Sequence, residues 1–408
     1  MVLEDRPAVP AAEMELYPVD WYLDAARLPL RLGATRYAQS KLARYTARFA
    51  ATLESLDFGS DQARVYYEIP SSLEGLLLHR LCRLRGWRYV GVQSSRLPGR
   101  VSLFLDRFRL FRDPPEGNLP PLDYHGLSPA ELTSRFLHKE LLPSYMNDPA
   151  ASATESGVVR YYRARLGNLR SVSFALRRLL SRRGAYDDVA YLGSVLSGVL
   201  DKVLRRLRKA QSRVGELRAG TPYIVFPLHV VPETSVQHMA YWNSDLLSTI
   251  CRISRLLPTH WKLVIKEHPA AQGSRSQRFF RELRRLHNLV AYPSRTSASE
   301  LLGSALGVVT LSSTIGLEAA LAGKPVLLLG DAPYAYHPMC RTVLSPSMDF
   351  DLEKFFLQEP PSDLEEQNQR FWELYWSFTC RGEIPGVSRD VDLVMRVDHA
   401  IELVSGRA

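Results

Sequence analysis

Short apolar runs recur along the C-terminal half of the chain, and helix-like segments separate them. The five runs are Tyr223–Leu228, Trp261–Lys266, Asn288–Ala291, Leu306–Leu311 and Pro325–Leu329. Between them, Asp245–Leu257 and Gln277–Leu286 are helix-like. This alternation predicts an α/β fold with a doubly wound sheet, whose ligands bind beyond the carboxyl ends of the strands.

A shorter unit of the same kind occurs nearer the N-terminus. Arg64–Ile69 is strand-like, Leu73–Leu84 is helical and Trp87–Val92 is a second strand. Together they predict a βαβ unit and hence an N-terminal parallel sheet. The apolar spacing also predicts helices over residues 19–56 and over most of residues 158–214.

The length and this pattern predict two domains and a tail. A chain of 408 residues exceeds the usual size of one hydrophobic core. We expect an N-terminal α/β domain over 1–215, with a helical basic segment at about 158–214. A second α/β domain is expected over 216–345, and a helical tail over 346–408. Aromatic residues in the tail have the spacing of a core helix: Phe371, Trp372, Tyr375, Trp376 and Phe378.

Composition narrows the class of protein. Hydrophobic residues make up 46% of the chain and charged residues 23%, as in soluble globular enzymes. The four cysteines are scattered without a C-x-x-C pair, which argues against a disulfide framework and a zinc site. The N-terminal residues lack the apolar segment of a secretory signal, and no apolar run is long enough to span a bilayer. We therefore expect a cytoplasmic protein.

Positive charge is concentrated in one stretch. Residues 160–213 contain 14 Lys and Arg against three acids, a local net charge of +11 in a chain whose net charge is +9. Such a block predicts an anionic partner, such as phospholipid, a phosphorylated acceptor or nucleic acid. No recognisable nucleic-acid motif accompanies it, so nucleic acid is not expected. The two interpretations of the block are a solvated inter-domain helix and a peripheral contact with an anionic membrane surface.

Polar residues follow the first apolar run directly. The sequence FPLHVVPE (226–233) places His229 and Glu233 in the loop that leaves the first strand. Because the carboxyl ends of parallel strands share one edge of a sheet, this loop should face the same cleft as His268 and Ser313. The alternative is a proline-stiffened turn with an incidental histidine.

The second apolar run ends in KEHP (266–269), which puts Lys266 and His268 at the next strand tip. A lysine and an imidazole can both donate hydrogen bonds to phosphate oxygens. Pro269 restricts the turn that follows. This tip is therefore a candidate site for a phosphate or for the carbonyl of a base.

The strongest segment is LSSTIGLEAALAGKPVLLLG (311–330), in which a buried strand runs into Ser312–Thr314 and then into a helix. Hydroxyls and free N–H groups at a helix N-terminus favour an anion such as a nucleotide phosphate. Gly316 follows the hydroxyl cluster. Glu318, in the first turn, can stabilise the helix dipole or accept ribose hydroxyl hydrogens. The alternative is a simple N-capping cluster. No Walker A or G-x-G-x-x-G motif occurs, which disfavours ATP hydrolysis and nicotinamide chemistry.

These three segments, in this order and spacing, resemble the capsular polysaccharide biosynthesis family, which includes capsule Kdo transferases. Their HP and Ser/Ser/Thr motifs are similar to those of bacterial sialyl- and polysialyltransferases. The resemblance covers about residues 222–335. It implies a GT-B-like architecture, with two Rossmann-like domains facing a cleft, the nucleotide held mainly by the second, and the C-terminal helix packing back onto the first.

The resemblance also implies roles for individual residues. Position by position, the HP histidine is His268, the hydroxyl motif is Ser312–Thr314, and Glu318 matches the acid of the E-A-x-x-x-G-K-P helix. These residues would hold the phosphate and ribose of a nucleotide sugar, implied to be a CMP-sugar such as CMP-Kdo. The expected binding set is Lys266, His268, Pro269, Ser312, Ser313, Thr314, Gly316 and Glu318.

The general base is less clearly marked. Related transferases carry an acidic pair before glycine in the N-terminal domain, whereas this chain has only Leu73-Glu74-Gly75, without the first acid. Glu68, at the tip of the first strand, is the rival. Either carboxylate could deprotonate an acceptor hydroxyl if the site raises its pKa. His229 and Glu233 complete the set of candidate catalytic residues.

The predicted reaction is sugar transfer from a nucleotide donor to a saccharide or lipid-linked acceptor. A cationic, hydroxyl-lined site would stabilise the departing phosphate without a metal, and no cofactor is expected. The D-x-D string Asp349–Asp351 lies beyond the strand pattern, so a metal site there is discounted. The alternatives are a nucleotide-sugar epimerase, a teichoic-acid-type glycerophosphotransferase, and a non-enzymatic nucleotide-binding or membrane-surface scaffold.

Overall fold

A computed structural model describes eleven stretches of the chain. They are residues 64–68, 73–104, 121–141, 215–231, 234–237, 239–268, 271, 275, 277–292, 296–343 and 351–382. The helices predicted over 19–56 and 158–214 lie outside these residues, as does the basic stretch 160–213. The described residues fall into two compact units. The first takes 64–68, 73–93 and 102–104, and the second takes 94–101 and every described residue from 121 to 382.

The βαβ unit predicted near the N-terminus is confirmed. It consists of β1 (Arg64–Glu68), α1 (Leu73–Arg85) and β2 (Arg88–Ser94), and the two strands pair in parallel from Arg64 opposite Arg88. A third strand, β3 (Arg100–Phe104), follows β2. The α1 helix packs its apolar side chains, Leu78, Leu81 and Cys82, together with Tyr89 of β2.

The second unit contains a six-stranded parallel sheet. Its strands are β4 (Tyr223–Pro227), β5 (Lys262–Lys266), β6 (Leu289–Tyr292), β7 (Gly307–Thr310), β8 (Val326–Leu328) and β9 (Cys340–Thr342). All five predicted strands are confirmed, and β9 was missed because CRT is short and polar. The strand order is β6-β5-β4-β7-β8-β9, so the chain reverses direction across the sheet between β4 and β7. Ligands of doubly wound sheets bind at this switch point, beyond the carboxyl ends.

Alternate residues of β4 supply two separate cores. Tyr223 and Val225 pack on one face, whereas Ile224 and Phe226 pack on the other, as the two-residue period of a strand requires. Helices cover both faces, which makes both sides of every central strand apolar. The helices after β4 are α3 (Thr234–Gln237), α4 (Leu246–Leu256), α5 (Gln277–Leu283), α6 (Ala298–Gly303), α7 (Thr314–Leu321), α8 (Leu352–Phe356) and α9 (Leu364–Ser377).

The aromatic helix predicted in the tail is α9, and it packs within the second unit. Its partners are α7 and a helix that the sequence did not reveal, α2 (Pro129–Leu137), which begins with a capping box between Ser128 and Glu131. The Trp372 indole N–H donates to Thr133 Oγ1 at 2.8 Å. The predicted domain 1–215 included the α2 residues, but α2 groups with the second unit because its apolar face is buried against α9. The other predicted boundaries stay predictions.

A turn between β2 and β3 anchors the end of α9. The hydroxyl of Tyr375 accepts a hydrogen bond from Arg96 N at 2.9 Å and lies 3.1 Å from Ser95 Oγ. The Arg100 guanidinium stacks over the Trp376 ring, with 3.4 Å between its central carbon and the ring centroid. The short strand β10 (Thr379–Arg381) follows α9. This anchoring fixes Arg96 within the second unit.

A buried polar network joins α9 to the segment before β9. His337 Nε2 lies 2.9 Å from Asn368 Oδ1, Asn368 Nδ2 donates to Leu321 O, and His337 Nδ1 accepts from Met339 N. Only the neutral Nε2–H form of His337 satisfies all three contacts. Burial lowers the pKa of His337 to about 4, and its hydrogen bond to Asn368 opposes that shift.

Acid should therefore destabilise the second unit. An unfolded histidine binds a proton near pH 6.5 whereas folded His337 resists it, so stability is complete above pH 6.5 and falls as the pH drops towards 4. His337→Gln removes this titrating group. In urea unfolding at pH 7 and pH 5, its free energy of unfolding should fall less between the two pH values than that of the wild type. Exposed His260→Gln is the control, and an unchanged pH dependence in His337→Gln would contradict the assignment.

Candidate active site at the sheet switch point

The two strands at the switch point meet through His229 and Ser312. His229 follows β4, Ser312 follows β7, and His229 Nε2 accepts a hydrogen bond from Ser312 N at 3.3 Å. Both side chains are buried. The structure thus places His229 on the edge of the sheet that carries the hydroxyl motif, as predicted. Its hydrogen bond to Ser312 N connects the loop after β4 with the loop after β7.

Burial dominates the chemistry of His229. It lowers the pKa of His229 to about 3, and the neighbouring side chains of His268 and Arg275 lower it further. His229 is therefore neutral at pH 7. Among the described residues, neither His229 Nδ1 nor Ser312 Oγ has a hydrogen-bond partner. Buried polar atoms of this kind normally require a partner, so they mark this position as one where a polar ligand or water fits.

The tip of β5 carries two of the predicted binding residues. Lys266 is buried, and its pKa is lowered by burial first and then by the charge of Lys139. His268 is exposed, yet its pKa falls to about 4 because surrounding protein desolvates the ring and because Lys266 and Arg275 are positive. An incoming anion would offset these positive charges.

A buried ion pair holds the tip of β5 in place, and its acid is the glutamate of KEHP. Arg275 donates to both carboxylate oxygens of Glu267, from Nε at 2.8 Å and from a terminal nitrogen at 3.0 Å. The same guanidinium donates to His229 O at 2.7 Å, and Glu267 Oε1 accepts from His268 N at 2.8 Å. The pair thus connects the loops after β4 and β5. Sequence reasoning missed both residues, because nothing in the sequence marks Arg275 as buried.

The hydroxyl motif begins α7. Ser313 is its N-cap, with Oγ accepting from Ile315 N at 3.3 Å, so this hydroxyl performs the capping role weighed for the motif. Tyr334 donates a hydrogen bond to Ser313 O. A Cβ at Gly316 would lie 2.9 Å from Thr310 Cγ2, so close packing requires this glycine. The N-terminus of α7, beginning at Thr314, consequently opens at the switch point, where its dipole favours an anion.

Glu318 lies in the second turn of α7, and not in the first turn as predicted, because the helix begins at Thr314. Glu318 is buried, and its carboxylate accepts a hydrogen bond from Lys139 Nζ at 3.1 Å. Burial raises the pKa of Glu318, while Lys139, Lys266 and Arg96 act in the opposite direction. Neither Lys139 nor Arg96 was among the site residues predicted from the sequence.

Several predicted residues are not placed together by the structure. Glu68 ends β1 and Glu74 lies in the first turn of α1, both in the first unit. Glu233 and Pro269 lie outside the described residues. Asp351, from the discounted D-x-D string, caps α8 by accepting from Lys354 N. The identity of the general base therefore stays a prediction.

Neither a metal-binding cluster nor a membrane-spanning helix occurs in the stretches that the structure describes. In those stretches, no group of three or more His, Cys, Asp or Glu is arranged to hold a metal ion. Independence from metal stays a prediction. None of the helices in the same stretches is long and apolar enough to cross a bilayer.

Breaking the buried pair between Glu267 and Arg275 should destabilise the fold around the strand tips. Glu267→Gln leaves Arg275 with an uncompensated buried charge, which should lower the free energy of unfolding by about 3–5 kcal/mol. Glu282→Gln is the control, because its pair with Arg285 is an exposed pair between neighbouring turns and should cost under about 1 kcal/mol. Urea unfolding measures both. Equal costs would show that the pair does not position the strand tips.

The region around the switch point is similar in sequence to known proteins. The model of a family described as capsule polysaccharide biosynthesis protein matches residues 184–342. Protein FixF of Sinorhizobium fredii is 31% identical over 140 residues, which cover 34% of this chain and 33% of that protein. Capsule polysaccharide export protein KpsS of Escherichia coli is 30% identical over 119 residues, covering 28% and 31%. The chain thus spans about a third of the length of the curated relatives it matches.

Among solved structures, the chain is similar to the beta Kdo 2,7 transferase of Thermosulfurimonas dismutans KpsC, with 13% identity, a TM-score of 0.37, and 97% and 98% of the two chains covered. The resemblance predicted from the motifs is confirmed by the sequence comparisons. Residues 184–342, which contain β4 through β9 and the switch point, match the model of the capsule polysaccharide biosynthesis protein family.

Proposed function

We propose that this chain is a glycosyltransferase of capsular or surface polysaccharide biosynthesis. It would move a sugar from a nucleotide donor to a saccharide or lipid-linked acceptor. One observation carries the proposal: Lys266, His268, the buried Ser312 and the N-terminus of α7 converge where the strand order reverses, within the residues that match the family. The names of the relatives connect that family with capsule polysaccharide.

The proposed chemistry is stabilisation of a leaving phosphate. As the bond to the sugar breaks, the nucleotide phosphate gathers negative charge, and fixed donors aimed at that charge lower the barrier. Lys266 supplies a partly desolvated ammonium, and the N–H groups at the start of α7 supply a positive dipole. His268, neutral in the free protein at pH 7, donates a hydrogen bond to the phosphate, and this bond strengthens as negative charge grows on the phosphate. No metal is needed for these steps.

The donor that we propose is a CMP-sugar such as CMP-Kdo. Its support is the resemblance of the HP and Ser/Ser/Thr motifs to enzymes of that class. An epimerase or a glycerophosphotransferase would release different products from the same kind of donor, and a scaffold would release none. Measuring nucleotide release from CMP-, UDP- and CDP-linked compounds therefore separates these alternatives.

The acceptor hydroxyl requires a general base, for which we propose a carboxylate of the first unit. Glu74 is the first candidate and Glu68 the second. The burial of His229 and its pKa of about 3 favour a positioning role for that residue. Glu233 remains a candidate in the loop that His229 begins.

Nucleotide binding tests the proposal directly. His268→Ala should weaken binding of the preferred nucleotide among CMP, UDP, GDP and CDP by about 1–3 kcal/mol, the range for losing a hydrogen bond to a charged group. The fold should survive, because the His268 side chain is exposed. Isothermal titration calorimetry and thermal shift measure the two effects.

His260→Ala is the matched control. His260 is an exposed histidine just before β5, whereas His268 lies just after it, so the two occupy opposite edges of the same sheet. Binding should be unchanged in His260→Ala. Wild-type affinity retained in His268→Ala would remove the proposed site, and a wild-type protein that binds none of the four nucleotides would remove the proposed function.

We also propose peripheral attachment to an anionic membrane surface through the basic stretch 160–213. Each Lys or Arg close to an anionic leaflet contributes about 1 kcal/mol, screened by salt, so several contacts hold a protein reversibly. The wild type should sediment with phosphatidylglycerol vesicles at low salt and be released at high salt. Reversing the charges of Arg205, Arg206 and Lys209 should abolish binding.

The control for vesicle binding reverses three exposed arginines of the second unit, Arg278, Arg281 and Arg284. This variant has the same net charge as the first and should still sediment. Equal recovery of the wild type with neutral and anionic vesicles would show that the basic stretch does not contact lipid. Glycosyl transfer activity does not depend on this outcome.

A further inference from the structure

Lys139 adopts a backbone conformation that lysine seldom takes. It follows the end of α2 with a φ of +60°, in the left-handed region. Lys139 N donates to Phe136 O at 3.0 Å, and Glu140 N donates to Arg135 O at 2.9 Å. These two bonds form a Schellman motif, in which the residue after the cap is usually glycine. A lysine at this position is conformationally unfavourable. Residues held in such backbone conformations cluster at functional sites, so the side chain of Lys139 is a candidate for a functional role.

The side chain of Lys139 reaches the site at the switch point. Its ammonium donates to the buried carboxylate of Glu318 on α7, and its charge lowers the pKa of Lys266. Lys266 in turn lowers the pKa of His268. A continuous group of charges therefore runs from the end of α2 to the tip of β5. Arg96, anchored beside α9, adds a further positive charge near Glu318.

Glu318 is the negatively charged member of this group. Its carboxylate is nearly inaccessible to solvent, with a side-chain exposure of 10%, whereas the side chain of Lys139 is 44% exposed. An ammonium with this much accessible surface can hold one carboxylate and still be reached by a second anion. The charge of Glu318 also weakens the positive potential that a second anion meets.

We propose that Lys139 is a binding residue for the donor phosphate, and that Glu318 is an internal carboxylate that competes with this phosphate for Lys139. The inference rests on the proposed function, because it takes the nucleotide phosphate as the ligand. It names a residue outside the region 184–342 that matches the family. It also gives Glu318 a role opposite in sign to that of a ribose ligand: a ribose ligand strengthens nucleotide binding, whereas a competing carboxylate weakens it.

The test compares five proteins by calorimetric titration with the nucleotide that binds the wild type best among CMP, UDP, GDP and CDP. Lys139→Met removes the charge and keeps the unfavourable backbone position. Lys139→Gly removes both. Glu318→Gln removes the competing carboxylate. Lys262→Met is the control, since Lys262 is a lysine at the amino end of β5, on the opposite edge of the sheet.

Both Lys139 variants should bind the nucleotide about ten-fold more weakly, as expected when a charge-assisted contact is lost. Glu318→Gln should bind about five-fold more tightly at low salt, because one negative charge near the phosphate is removed. Lys262→Met should bind like the wild type. Lys139→Gly should also melt at a higher temperature than Lys139→Met, since glycine relieves the left-handed backbone.

Three results would overturn the inference. Wild-type affinity in Lys139→Met, with binding still weakened in His268→Ala, would refute the role of Lys139 and leave the proposed function intact. Weaker binding in Glu318→Gln would refute competition and identify Glu318 as a ligand of the nucleotide or as a support for Lys139. A wild-type protein that binds none of the four nucleotides would overturn both this inference and the proposed function.

Discussion

The carboxyl edge of a parallel sheet collects the ends of all its strands, and this constraint organises the second unit. Six strands in the order β6-β5-β4-β7-β8-β9 bring the loops after β4, β5 and β7 side by side, although 83 residues separate His229 from Ser312 in the chain. Because both faces of the sheet are buried under helices, polar side chains accumulate at this edge. The strand order therefore determines where on the sheet the polar site lies.

Electrostatics at this edge depends on a buried ion pair next to the partly desolvated side chains of Lys266 and His268. Glu267 and Arg275 neutralise each other in a buried pair whose hydrogen bonds fix both His229 and His268. Breaking such a pair is costly even where the intact pair adds little net stability. Because Lys266 and His268 are partly desolvated, each gains from the arrival of negative charge. A site of this kind attracts phosphate without relying on a surface full of positive charge.

Much of this arrangement was predictable from periodicity. The five apolar runs predicted five of the six strands of the large sheet, since buried parallel strands are continuous apolar segments bounded by polar loops. The motif residues after those runs then followed from the rule on carboxyl ends. His229 beside Ser312 is the clearest case, because strand order alone brings together two loops that are distant in sequence.

The unpredicted parts share a physical cause. Strand β9 is polar and three residues long, and α2 lies in a proline-rich stretch without an extended apolar period. Arg275, Arg96 and Lys139 contribute through tertiary contacts between segments whose approach no local pattern encodes. The separate grouping of α2 with the second unit likewise depends on its packing against α9. Local sequence specifies strands and caps, whereas the partners of a buried charge depend on the completed fold.

The central claim is that an anionic nucleotide binds at the switch point, beside His268. The most direct measurement is a nuclear magnetic resonance titration of protein labelled with ¹⁵N-histidine, with His268→Ala and His260→Ala used to assign the two rings. In the free protein the His268 imidazole should titrate near pH 4. Addition of the preferred nucleotide should shift its signals and raise its pKa, since the phosphate offsets the charges of Lys266 and Arg275, while the His260 signals stay unchanged. A His268 ring that keeps its signals and its pKa at saturating nucleotide would contradict the account.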